Sequence, residues 1–129
     1  MDFVTLEIAQ KLKEKGFKEE CLCYYIGDDL AYNIESHVVN YQLQFCHNKY
    51  DNIWHRDNVD VPTIAQVLKW LRKEKKLYLE LVITADTEYM YDIYKIDPRP
   101  IRCVGSTDYS KTYEGAALAG IKYVLDNLI

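Results

Sequence analysis

The chain reads as an α+β fold, a mostly antiparallel sheet with helices packed on one face, in the order α-β-β-α-β-β-β-α. Three observations predict it. Apolar residues recur every three or four positions near both ends and across residues 63–76, the spacing of an amphipathic helix. They alternate at every second position in residues 39–45 and 77–83, the spacing of a half-buried strand. Short runs of Thr, Asp, Gly and Pro punctuate these segments. The 129 residues are the size of one ordinary domain, so residues 1–129 are read as a single domain with a polar, aromatic loop at 46–61 inside it.

The elements follow in order. Val4, Ile8 and Leu12 form the stripe of a first helix. Gly16 ends it after a lysine-rich last turn, and Phe17 is placed to meet Leu12 in a Schellman closure. Cys21–Ile26 is an unbroken apolar run bounded by Gly27, Asp28 and Asp29, short enough for a buried strand. Val39, Tyr41, Leu43 and Phe45 alternate with Asn40, Gln42 and Gln44, a strand with one wet face that residues 28–35 are expected to join. The stretch HNKYDNIWHRDNVD that follows has no period. Thr63 and Gln66 then form a capping box, Pro62 packs on Val67, and Ile64, Val67, Leu68 and Leu71 make the buried stripe of a second helix.

Leu77, Leu79, Leu81 and Ile83 alternate with Tyr78, Glu80, Val82 and Thr84, which predicts a strand. TADTE is a turn, and Tyr89–Ile96 returns as the second arm of a hairpin. Asp97-Pro98-Arg99-Pro100 stops that arm, because proline supplies no donor to a sheet ladder. Ile101–Val104 is a third strand. From Thr112 a last helix buries Ala117, Ile121, Val124, Leu125 and Leu128, and its small residues Gly115, Ala116, Ala119 and Gly120 allow close approach to the sheet.

Composition narrows the function classes. With 5 Gly and 3 Pro the chain is not of low complexity. Its net charge of -4 speaks against a dedicated nucleic-acid binder. The charge is uneven, however, because Lys69, Arg72, Lys73, Lys75 and Lys76 gather on one helix. Most lie near its C-terminus, where the helix dipole favours cations by roughly 0.3–1 kcal/mol each. Twelve tyrosines favour strands and interfaces, since the ring packs while the hydroxyl reaches water or a partner. No apolar run is long enough to span a membrane and no secretory leader is apparent, so a cytoplasmic protein is expected. Cys21, Cys23, Cys46 and Cys103 are scattered and are read as reduced thiols.

Chemistry-bearing motifs are sparse. Cys21 and Cys23, or Cys46 with His47 and His55, match no compact zinc spacing, and His37 stands alone. No metal or cofactor is expected. Cys46–His47 or His55–Asp57 could be paired as nucleophile and base, but neighbours on a strand point to opposite faces. A hydrolase with a site assembled from distant residues is the third reading. The second is nucleic-acid binding through the basic helix, with Lys69, Arg72 and Lys73 as phosphate contacts. The first is an accessory or protein-interaction protein without catalytic activity. Its partner-binding candidates are Tyr50, Trp54 and Arg56 in the loop and Trp70 on the second helix, residue types enriched at interface hot spots. A protein partner or a homodimer is expected.

Two resemblances add to this. VTLEIAQKLKEKGF, VDVPTIAQVLKWLRKEKKLYLEL and TYEGAALAGIKYVLDNLI together resemble a family of small uncharacterised proteins of gut Bacteroidetes and their phages or mobile elements, which implies a cytosolic accessory protein and supplies no catalytic residues. The order of residues 62–129, with the alanine-rich rhythm of STDYSKTYEGAALAGIKYVL, is similar to a double-stranded-RNA-binding domain. That likeness implies a lysine pair at the start of the last helix to grip phosphates. This chain has Thr112 and Tyr113 there, with Lys111 alone nearby.

Overall fold

The computed structural model describes residues 2–26, 29–32 and 59–129. Its elements are α1 (Leu6–Glu14), β1 (Cys23–Ile26), β2 (Asp29–Tyr32), β3 (Val59–Val61), α2 (Ile64–Glu74), β4 (Leu77–Ile83), β5 (Tyr89–Lys95), β6 (Arg102–Ser106) and α3 (Tyr113–Asn127). The fold is α+β with antiparallel pairing throughout, and its strands are shared between two sheets, ordered β2-β1-β3 and β4-β5-β6. The chain divides into two compact units, Phe3–Thr63 and Ile64–Ile129 with Met1–Asp2.

In the first unit, Thr5 caps α1 by accepting the Ile8 N–H on its hydroxyl at 3.3 Å. Gly16, at φ 90°, closes the other end, where no L side chain sits comfortably. The Phe17 N–H reaches the Leu12 carbonyl at 3.0 Å and the Gly16 N–H the Lys13 carbonyl at 3.2 Å, the two bonds of a Schellman motif. The helix lies against β3. Val4, Ile8, Ala9, Leu12, Phe17, Cys21, Cys23, Tyr24 and Val61 form the buried core.

One expectation changes here. Val59–Val61 was expected inside the polar loop, yet it pairs with Cys23–Tyr25 as a strand. Three residues are too few to show a period, although Val59 and Val61 do flank the wetter Asp60. Asp29–Tyr32 pairs with β1, with Ile26 opposite Asp29. The strand expected at residues 39–45 lies outside the described residues.

The second unit sets α2 against β4 and α3 against β5, with the two helices also touching. Ile64, Val67, Trp70, Leu71, Leu77, Leu79, Tyr91, Ile93, Ala116, Ala117, Ile121, Val124 and Leu125 fill the space between. Burying a side chain of Val, Leu or Ile size contributes roughly 1.5–3 kcal/mol, so this set accounts for why the helices cover that face. Thr112 caps α3, its hydroxyl accepting the Gly115 N–H at 3.0 Å. Gly120 is a point of close approach. A β-carbon there would stand 3.1 Å from Leu79 Cδ2 and 3.5 Å from Tyr91 Cβ, which is the tight helix-to-sheet contact that its small neighbours predict.

Burial on the helix side stops partway along β4. Leu77 and Leu79 are covered, whereas Leu81 is 37% and Ile83 61% exposed. Simple alternation would have put all four inside.

Candidate functional site: the open face of the second sheet

Because side chains alternate across a strand, the residues between the buried positions of β4 and β5 point to the face opposite the helices. None of them is buried. Tyr78, Glu80 and Val82 stand there from β4, and Met90, Asp92 and Tyr94 from β5. The ladder pairs them directly: Tyr78 with Tyr94, Glu80 with Asp92, and Val82 with Met90. On the far side, Tyr94 is opposite Cys103 and Asp92 is opposite Ser106, after a bulge in β6.

At one end, Tyr78, Tyr94, Ile96 and Ile101 line a shallow, wholly apolar hollow of about 300 Å³. Tyr78 is 42% and Ile101 62% exposed. Ile101 is held over the hollow by the chain that leaves β5 through Asp97-Pro98-Arg99-Pro100, and both X-Pro bonds in it are cis. The aromatic pair stands at this end of the two strands, with Tyr78 exposed and Tyr94 half-buried.

Beside the hollow the surface turns acidic. The carboxylates of Glu80 and Asp92 occupy opposite positions on neighbouring strands, an arrangement that like charges disfavour. Ser106 partly relieves it, donating its hydroxyl to Asp92 Oδ1 at 2.7 Å. The Tyr94 hydroxyl is pushed up from its ordinary value of 10.0 by partial desolvation first and then by the negative charges of Glu80 and Asp92. Tyr94 thus stays a neutral donor across the physiological range. The face offers apolar area, two ring faces and two carboxylates within one strand pair, which suits an apolar side chain followed by a cation.

Of the partner-binding and phosphate-contacting candidates from the sequence, Trp70, Lys69, Arg72 and Lys73 are among the described residues. Tyr50, Trp54 and Arg56 lie outside the described residues, as do Cys46, His47, His55 and Asp57. Trp70 is buried, with 6% of its surface accessible, and the Lys75 ammonium stands 5.4 Å from its ring centre. Its place three residues after Val67 turns it toward the buried side of α2. Leu68, expected in the stripe, is half-exposed in exchange.

Lys69, Arg72 and Lys73 are all exposed on α2, spaced so that they share one stripe. The start of α3 is occupied differently from the RNA-binding pattern. Thr112 is consumed as the cap, and Tyr113 packs its ring against Tyr91 with centroids 6.3 Å apart. Burial first, and then the neighbouring Tyr113 hydroxyl, holds the Tyr91 hydroxyl well above the usual tyrosine range.

Cys21, Cys23 and Cys103 are free thiols. Burial raises Cys21 from 9.0 to about 12, helped by the nearby charge of Asp60, and raises Cys23 to about 11. Such thiols are poor nucleophiles at neutral pH. Among the described residues no group of three or more His, Cys, Asp or Glu is arranged to hold a metal ion, and no helix is long and apolar enough to cross a membrane.

The open sheet face went unremarked in the sequence because its signal was read as ordinary amphipathicity. Tyr78 and Tyr94 fall on the polar side of their strands, and only the register shows that they are neighbours. Comparison with protein-family models, curated proteins and solved structures returned no match.

Proposed function

We propose that the chain is a protein-interaction module whose working surface is the open face of the β4-β5-β6 sheet. The observation that supports this reading is the juxtaposition of a cross-strand tyrosine pair, exposed Tyr78 and half-buried Tyr94, with the opposed carboxylates Glu80 and Asp92. Two carboxylates facing each other cost stability in the free protein, and a cation from a partner removes that cost on binding. The rings and Ile101 supply the apolar area on which such a contact is desolvated. The partner is accordingly a protein segment carrying a large apolar residue next to Arg or Lys.

A displayed library of random peptides, selected against the whole chain, tests this. Enriched peptides should carry a basic residue beside an apolar one. Tyr78→Ser/Ile101→Ser should abolish their binding, and Glu80→Gln/Asp92→Asn should weaken it and flatten its salt dependence. Peptides indifferent to both pairs of substitutions would remove the proposal.

A second reading keeps nucleic acid as the partner of α2. Exposure of Lys69, Arg72 and Lys73 on one stripe favours it, while the net charge of -4 and the absence of a lysine pair at residues 112–113 oppose it. Retention on immobilised nucleic acid at low salt that is lost in Lys69→Glu/Arg72→Glu/Lys73→Glu would establish that reading.

A further inference from the structure

Among the described residues β4 pairs with β5 alone and stands at an edge of the described sheet. Hydrogen bonds just beyond its two ends fix which residues look outward. The Ile96 N–H donates to the Lys76 carbonyl at 2.9 Å, and the Thr84 N–H to the Glu88 carbonyl at 2.9 Å. Even-numbered residues of β4 therefore form the hydrogen-bonded pairs with β5. The odd-numbered residues, Leu77, Leu79, Leu81 and Ile83, turn their N–H and C=O groups to the free edge.

The two edges of this sheet differ. β6 begins with Arg102, follows Pro98 and Pro100, and is broken by a bulge opposite Ile93 and Tyr94, all devices by which edges resist pairing. β4 runs seven residues with no proline, lysine or arginine and in unbroken register. Its last two outward residues, Leu81 and Ile83, are also its exposed apolar ones.

We infer that β4 pairs antiparallel with β4 of a second copy of this chain, joining the two sheets into one six-stranded sheet about a two-fold axis. Registers that keep the outward groups bonded are few. One sets Glu80 against the partner's Glu80, with like charges face to face. Another, centred on Leu79, strands Ile83 beside the partner's Lys75. The register centred on Leu81 sets Leu81 against the partner's Leu81 and Ile83 against the partner's Leu79, covering both exposed side chains. It also sets Glu80 against the partner's Val82 and brings Lys76 toward the turn that holds the partner's Asp86, so that the charges complement each other. This pairing rests on the backbone of β4 and stands independently of the peptide-binding reading, although it would set two open faces side by side.

Sedimentation and native mass measurement of the full chain over a concentration series, with hydrogen exchange at single-residue resolution, test it. The expected species has twice the 15.2 kDa chain mass, and the Leu79, Leu81 and Ile83 amides exchange faster as dilution dissociates it. Ile83→Lys, at an exposed position, should raise the dissociation constant about tenfold or more. Ile101→Ser, on the open face away from this edge, should leave it unchanged. A monomer at every concentration would overturn the inference. So would a dimer whose three amides exchange as fast as in the monomer, since its contact would lie elsewhere.

Discussion

Cys21, Cys23 and Cys103 show how one residue type takes different roles according to where the fold puts it. Cys103 is exposed on β6, and Cys21 and Cys23 are covered in the first unit. Of these three, Cys103 should be alkylated first by iodoacetamide in the native chain, with the other two reacting only on unfolding. The two buried thiols also carry a pH dependence. Each holds its proton in the folded state to a higher pH than in the unfolded chain, so their contribution is complete below 9.0 and drains away toward about 11 for Cys23 and about 12 for Cys21. Melting temperature should therefore fall more steeply above pH 9 in the native chain than in Cys21→Ala/Cys23→Ala, read by circular dichroism. Equal slopes would mean that other groups govern the alkaline limb. Trp70, a residue type enriched at interface hot spots, is turned inward by helical geometry.

Among the elements, the sequence was most legible where period and termination agreed. α1 carries its stripe, its glycine stop and its Phe17 closure within a dozen residues, and the structure realises each. The β4-β5 hairpin and the capped α3 were equally plain. β3 was hidden by its length, since Val59–Val61 gains its identity from pairing with β1 and not from a pattern of its own. The candidate site was hidden for a related reason. Alternation sets Tyr78 apart from the leucines of its strand, but a cross-strand pair is a property of register, fixed jointly by two strands and their turn. The helix-to-sheet seam makes a sharp prediction at this scale. Gly120→Val would drive a side chain into Leu79 and Tyr91 and should cost about 1–3 kcal/mol in urea unfolding. Ile93→Ala, at a fully buried strand position, should cost about 2–5 kcal/mol. Ile101→Ser, which touches neither seam nor core, should be near neutral for stability.

For the molecule as a whole, charge and surface chemistry divide the possible partners. Lys69, Arg72 and Lys73 make one basic stripe on α2, the open sheet face is apolar and acidic, and the net charge is -4. A polyanion and a basic protein segment would therefore be met by different surfaces, which lets one experiment decide between them. Photocrosslinking in the cells that make the chain reads this most directly, with a photoreactive residue placed in turn at position 101 on the open face, at position 72 on α2 and at position 122 on the outer side of α3. The open-face account predicts a protein adduct from position 101 that disappears when Glu80→Gln/Asp92→Asn is added, with none from position 122. Adducts from position 72 alone, or from none of the three, would contradict it.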